Sequence, residues 1–283
     1  MSKSKNVVAP EPLLISETSI SRAYARILLR VVEEPGKEIS PLVMTINGFG
    51  PNREIPEEPV LRAALDALLV RKSKSDVEDV AYTIFPQRLW DMAQGDRAQL
   101  FTFYKMAFPA YKAMNRKANG RGLYFERMMM YGRGPCDGNQ LEYVLSQYNS
   151  RPGVRRSMLQ ATTFDPERDH TPSAQLGFPC LQQVSFVPTD TGLIVNAFYA
   201  TQQIFDKAYG NYLGLAQLGA FMAHEMNMSL NRLNVNVGVA KLERITKTDK
   251  SLAPVIVAAK ACLAAVPNYP AVSAPPLFAE AAL

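Results

Sequence analysis

Apolar positions recur at helical spacing early in the chain and alternate late in it. In "SISRAYARILLRVVEE", from Ser19, the residues Ile20, Tyr24, Ile27, Leu28, Val31 and Val32 share one helical face, and Pro35-Gly36 ends the run. "SPLVMTING" reads as a strand. "EEPVLRAALDALLVRK" predicts a second helix with Pro59 in its first turn, where a missing N–H leaves no bond unmade, and residues 71–76 form a polar link. In "DVEDVAYTIFP", Val77, Val80, Ala81 and Ile84 lie on one helical face closed by Pro86. "AQLFTFYKMAFPAYKAMNRK" predicts an aromatic-rich helix interrupted around Pro109, followed by a basic turn, "NRKANGRG".

The second half begins with a helix around Leu141 to Gln147, a turn at Arg151-Pro152-Gly153 and a strand starting near Arg155. "CLQQVSFVPTDTGLIVNAFYATQQ" predicts a hairpin that turns between Pro188 and Gly192, with Val184 and Phe186 alternating against polar neighbours. "YLGLAQLGAFMAHEM" has the composition of a buried helix, and "LNVNVGVAKLER" alternates as a further strand. Helices early and strands late point to an α+β protein. The expected organisation is one large domain over residues 19–265, between a flexible arm over 1–18 and an extended tail over 266–283.

With 283 residues, 47% of them hydrophobic and 20% charged, the chain has the composition of a soluble globular protein with a sizeable core. Apolar stretches such as "LAPVIVAAKACLAAV" are broken by Lys or Pro, so no membrane-spanning helix is expected. The start, "MSKSKNVVAPEPLL", has no continuous apolar segment with a cleavage site, which leads us to expect a cytoplasmic protein. Cys136, Cys180 and Cys262, with only His170 and His224 beside them, fit neither a disulfide framework nor a zinc knuckle, and no metal is expected. The net charge of +5 suits an anionic ligand, whether phosphate, nucleotide or nucleic acid, and equally suits a solvated surface.

Cys180 is the residue with most chemical interest. A free cysteine is commonly a small buried hydrophobe. Here "GFPC" places it after a turn and at the edge of a strand, in a chain region rich in arginine. The thiolate is the reactive form, and an ordinary thiol with a pKa of about 8.5 is mostly protonated at neutral pH, so nearby cations matter. Arg155-Arg156 could supply them. On a strand, two neighbours point to opposite faces, so both serve one pocket only if a bulge or a subunit boundary intervenes. Arg168 and Lys207 are further candidates.

Four stretches, "RPGVRRSMLQAT", "GFPCLQQVSFV", "GLIVNAFYATQQIFDKAYGNYLGLAQLGAFMAHEM" and "LNVNVGVAKLE", resemble in order and approximate spacing the second half of thymidylate synthase and the related pyrimidine nucleotide hydroxymethylases. The resemblance runs from about Tyr124 to Glu243, and "YARILLRVVEE" is similar to the family's first helix. It implies a thymidylate-synthase-like fold, a mixed sheet packed with helices, and a homodimer. It places Cys180 at the nucleophile, Asn211 at the asparagine that reads the pyrimidine edge, and Tyr124 at the tyrosine of a Gly-Pro-Val-Tyr-Gly segment. Arg155 and Arg156 fall on the pair that reaches across the dimer to the nucleotide phosphate. Glu78 or Asp79 falls on the helix of the catalytic glutamate.

The departures concern the ligand cradle. Leu181 stands where the family has histidine after the cysteine. In the family's Gln-Arg-Ser-x-Asp run, Ala200 replaces the arginine and Gln203 the aspartate; Lys241 and Glu243 fall on its ribose-holding residues, and "PGKEISP" replaces its Arg-Thr-Gly loop. Gln203 and Lys241 therefore enter as substrate-binding candidates. The chemistry implied is addition of Cys180 to C6 of a pyrimidine nucleotide and transfer of a one-carbon unit from methylenetetrahydrofolate to C5, ending in methyl or hydroxymethyl. The alternative is a non-catalytic dimer of the same scaffold that binds nucleotide or nucleic acid. Its candidate surface is "NRKANGRGLYFERMMMYGRG", which combines five positive residues with aromatics, or else forms a structural turn and strand.

Overall fold

A computed structural model describes residues 10–50, 54–173 and 179–266. The chain enters through β1 (Leu13–Glu17), α1 (Ile20–Glu33), the short β2 (Glu38–Ile39) and β3 (Leu42–Ile46). Helices follow: α2 (Pro59–Arg71), α3 (Val77–Tyr82), α4 (Gln87–Met92), α5 (Arg97–Met114), α6 (Arg116–Asn119), α7 (Tyr124–Met129) and α8 (Gln140–Ser150). Then come β4 (Gln160–Thr162), α9 (Pro166–Asp169), the hairpin β5 (Leu181–Thr189) and β6 (Gly192–Gln203), α10 (Tyr209–Glu225), β7 (Leu230–Lys241) and α11 (Ala253–Ala264). The strands form one open mixed sheet in the order β1-β3-β7-β6-β5-β4, with β2 paired to the end of β7. β1 with β3 and β6 with β7 run parallel, and the other pairs are antiparallel. The α+β class read from the order of elements holds.

Alternation decides which face of the sheet is buried. Met44, Val195, Ala197, Tyr199, Val235 and Val237 are all at most 2% exposed and form the core with α10 and α1. The opposite face is half-exposed and carries a polar ladder from strand to strand. Thr45 donates to Asn234 (2.9 Å), Asn234 to Asn196 (2.8 Å) and Asn196 to Ser185 (3.3 Å), with Phe198 47% exposed beside it.

The α10 helix is buried from Tyr209 to Ala223, as its uniform apolarity predicts. It packs against α3 through two glycines one turn apart. A Cβ on Gly210 would lie 2.5 Å from the Val80 Cβ, and one on Gly214 would lie 2.6 Å from the Ala81 carbonyl oxygen. Backbone contact that close places Asn211, in the first turn of α10, beside α3.

Several local expectations are corrected. Leu13–Glu17, expected in the loose arm, pairs with β3 as an edge strand, and buried Glu17 accepts from both Arg22 (2.8 Å) and Arg26 of α1. Pro109 does not interrupt α5; Lys105, whose carbonyl loses its helical donor there, faces solvent, where water can replace the bond. Part of the basic turn is α6, and the stretch expected as turn and strand after it is α7. The strand expected from Arg155 begins at Gln160; Arg155 and Arg156 precede it at the start of a single 3₁₀ turn. "APVIVAAKACLA" forms α11, an element that its apolar composition concealed because no polar face marks the period. Residues 1–9 of the arm and the tail from 267 lie outside the described residues. No helix among the described residues is long and apolar enough to cross a membrane.

Candidate functional site

The end of β6, the start of β5, the first turns of α7 and α10, and α3 surround a cleft of about 520 Å³. Cys180, Tyr124, Asn211 and Gln203 all line it. Four candidates taken from separate stretches of sequence therefore meet in one place.

Cys180 sits immediately before β5 and is half-buried. Its carbonyl accepts from the Ala200 N–H (2.9 Å), and its Sγ lies 3.5 Å from the Thr201 hydroxyl, so β6 holds both the backbone and the thiol in place. Tyr124, the first residue of α7, lies against the cysteine; burial, and then the charge of the neighbouring sulfur, push its phenol well above the ordinary range. Behind them, Tyr199 is fully buried and within electrostatic reach of Tyr124, Tyr212 and Cys180.

The two carboxylate candidates separate. Glu78 turns toward α2, where Arg62 donates to it at 3.0 Å as part of a fork that also holds Glu57 and Asp66. Asp79 is exposed beside Val80 and Thr83, which line the cleft. Its carboxyl is raised by partial burial and by Asp76 and Glu78, against the opposing pull of Arg88 and Lys207. Of the pair, Asp79 is the one within reach of the cleft's charges.

Arg155 and Arg156 are exposed and do not line the cleft within this chain. Lys241 pairs with Glu38 (3.2 Å) in a neighbouring groove that meets the cleft at Arg244. Gln203 reaches toward that groove and donates to Glu243 at 3.3 Å. Arg168 lies 3.6 Å from the buried Glu126.

Of the cations of the cleft, only Arg244 falls outside the basic segment and the candidates read from sequence. Arg116, Arg121, Arg127, Lys207 and Arg244 line it, and among the described residues no carboxylate does. Arg127 is spoken for by Asp169, and Arg244, at φ 66°, by buried Asp206 (2.6 Å). Arg116, Arg121 and Lys207 have no ion-pair partner among the described residues, and the Arg121 Nη1 is a buried donor without an acceptor there. The Lys207 ammonium is lowered, chiefly by burial and by Arg244 and Lys74, although Asp206 and Asp79 oppose the shift. It stands on a wide π-type turn, Ile204–Ala208, between β6 and α10. The segment read as a separate basic and aromatic surface contributes Arg116, Arg121, Tyr124 and Arg127 to the wall of this same cleft.

Chemically, the site offers a positioned thiol, a phenol, four side-chain amides (Asn119, Gln202, Gln203 and Asn211) and uncompensated positive charge, which together suit a planar heterocycle bearing anionic groups. In comparison with known proteins, the chain matches no protein-family model and no curated protein.

Proposed function

We propose that the chain is a divergent thymidylate-synthase-like enzyme that transfers a one-carbon unit to C5 of a pyrimidine nucleotide through a covalent adduct on Cys180. The observation that carries this reading is the convergence of Cys180, Tyr124, Asn211 and Gln203 on one cleft. The Cys180 thiolate forms a bond to C6, and the C5–C6 π pair moves onto C5 and the adjoining carbonyl oxygen. Asn211, 4% exposed on the cleft floor, hydrogen-bonds the N3 and O4 edge and stabilises the charge that develops there. Tyr124 beside the sulfur and Asp79, the carboxylate within reach of Lys207, handle the proton transfers. C5 then bonds to the carbon supplied, gives up its own proton to the base and releases the carrier nitrogen. Addition of hydride from the reduced folate, or of water, to that carbon expels the Cys180 thiolate and restores the ring as the methyl or hydroxymethyl product.

Methylenetetrahydrofolate supplies the carbon when bound. The unpartnered cations Arg116, Arg121 and Lys207 fit its carboxylates, and the orphaned Arg121 Nη1 is a donor in search of such an acceptor. The half-exposed polar face of the sheet suits a second copy of the chain, in a homodimer whose partner would bring its own Arg155-Arg156 to the nucleotide phosphate.

The test is incubation with a pyrimidine nucleotide and labelled methylenetetrahydrofolate, followed by peptide mass mapping. The expected result is an adduct on Cys180 and label in the pyrimidine, both abolished by Cys180→Ser. Salt-sensitive binding of nucleic acid with neither adduct nor label would replace the enzyme with a binding module.

A further inference from the structure

Lys207 stands on the turn between β6 and α10 and lines the cleft four residues before Asn211, so the two side chains rise from neighbouring points of one coil. It is half-buried, and its ammonium has neither an ion-pair nor a hydrogen-bond partner among the described residues. Of the three unpartnered cations, Arg116 and Arg121 keep their protons at any working pH and match the two carboxylates of the folate, whereas a lysine can give its proton up. The surroundings favour that. Burial acts first to lower the Lys207 ammonium; Arg244 beyond β7 and Lys74 after α2 add to it, and Asp206 on the same turn and Asp79 on α3 oppose them. The cleft itself is polar: among the described residues Val80, Leu123 and Pro179 are its only wholly aliphatic side chains, and Tyr124 is its only aromatic ring. Hydride transfer wants a dry site in which a reduced ring stacks closely on the acceptor, and walls of this kind hold water instead.

We propose that Lys207 is a catalytic residue that delivers water to the carbon carried on C5, so that the transfer ends in hydroxymethyl rather than methyl. This rests on the reading of the cleft as a site of one-carbon transfer to a pyrimidine. Asn211 reads the N3 and O4 edge, and C5 is bonded to the carbon that bears O4, so a side chain rising beside Asn211 from the preceding turn adjoins C5 and its substituent. Once the carrier nitrogen has left, that substituent is an exocyclic methylene, electrophilic while Cys180 is still bonded to C6. The Lys207 Nζ, as the free amine, takes a proton from water as the water oxygen bonds to the methylene carbon. The methylene π pair passes through C5 to form the C5–C6 double bond, and the C6–S pair departs with the Cys180 sulfur as thiolate. The ammonium then returns its proton to solvent. No hydride is drawn from the folate, which is released at its starting oxidation level.

The experiment is incubation of the wild-type chain, Lys207→Arg and Lys207→Met with deoxyuridine or deoxycytidine monophosphate and labelled methylenetetrahydrofolate. Each reaction is run with and without excess mercaptoethanol, nucleotide and folate products are identified by mass, and thermal melts are the fold control. Wild type is expected to place the label in hydroxymethyl nucleotide and to release tetrahydrofolate, at a rate that falls as acid protonates Lys207. Both variants are expected to form the Cys180 adduct as before but to lose hydroxymethyl product about a hundredfold, because Met has no base and Arg keeps the charge without being able to take the proton. In both, mercaptoethanol should capture the waiting methylene as a thioether, which a merely structural change would not produce. Methyl nucleotide with dihydrofolate from wild type, undiminished hydroxymethyl product from a variant, or loss of the adduct in a folded variant would overturn the role of Lys207 while the transfer reading stands. If neither variant folds, the wild-type product decides. Absence of both adduct and label in wild type would overturn the transfer itself, and this role with it.

Discussion

Two buried polar clusters lie on either side of Tyr124, and they are finished to different degrees. In the first, Arg127 and Asp169, at 3% and 0% exposed, form a two-pronged pair: Nη1 donates to Oδ2 at 2.6 Å and Nη2 to Oδ1 at 2.8 Å. The remaining guanidinium donors go to the carbonyls of Thr163 (2.8 Å) and Arg121 (2.9 and 3.3 Å), and the Asp165 N–H returns a bond to the carboxylate at 2.9 Å. In the second, around Cys180, the Tyr199 hydroxyl and the Gln202 Nε2 have no partner among the described residues. A buried network with every group met fixes the fold; one with donors left over contributes less to it. The first cluster clamps the segment from Arg121 to Arg127 onto the loop around Thr163 and α9, and so holds the wall on which Tyr124 stands.

This contrast can be broken by substitution. Arg127→Met leaves Asp169 buried and unpaired, and chemical denaturation at pH 7 is expected to show a loss of about 3–5 kcal/mol. A loss below about 1 kcal/mol would mean that the clamp is not the scaffold. The second expectation is the pH dependence of that loss. In the wild-type chain burial raises the Asp169 carboxyl, but the Arg127 hydrogen bonds outweigh it and hold the group below the ordinary value. Its stabilisation is therefore complete above the unfolded pKa of about 3.9 and disappears only as pH falls through the lower folded value. In Arg127→Met the unpaired carboxyl is raised instead, takes a proton earlier on acidification and sheds its penalty. The gap between the two proteins should narrow from pH 7 to pH 4; a constant gap would contradict this. The smallest effect is expected in the cleft, where the Tyr212 hydroxyl donates to the Gln202 Oε1 and Gln202→Leu combined with Tyr212→Phe removes donor and acceptor together. That double variant should melt within about 1 kcal/mol of wild type.

The features legible in sequence were those that local physics controls. The α1 stripe, the turn after Pro188, the apolar α10 and the alternation of β7 each announce themselves within a dozen or so positions. Where a local signal was absent or misleading, long-range packing set the outcome. Leu13–Glu17 is a strand because β3 offers it a parallel edge. The Arg116–Tyr124 stretch, basic and aromatic enough to suggest an outer surface, is a cleft wall because α7 is anchored from within by Arg127.

For the candidate site the division is the same. Residue types, and the order in which Tyr124, Cys180, Gln203 and Asn211 are strung, were legible in one dimension, because order and spacing are properties of a linear chain. Glu78 and Asp79, adjacent and chemically alike, could not be told apart until α2 brought Arg62 to one of them. Gln202 carried no signal at all, since an unmet donor is defined by atoms missing around it. Only the packing of β6 against α10, which brings Tyr212 onto one end of its amide and seals the other, made it distinct from Gln203 beside it.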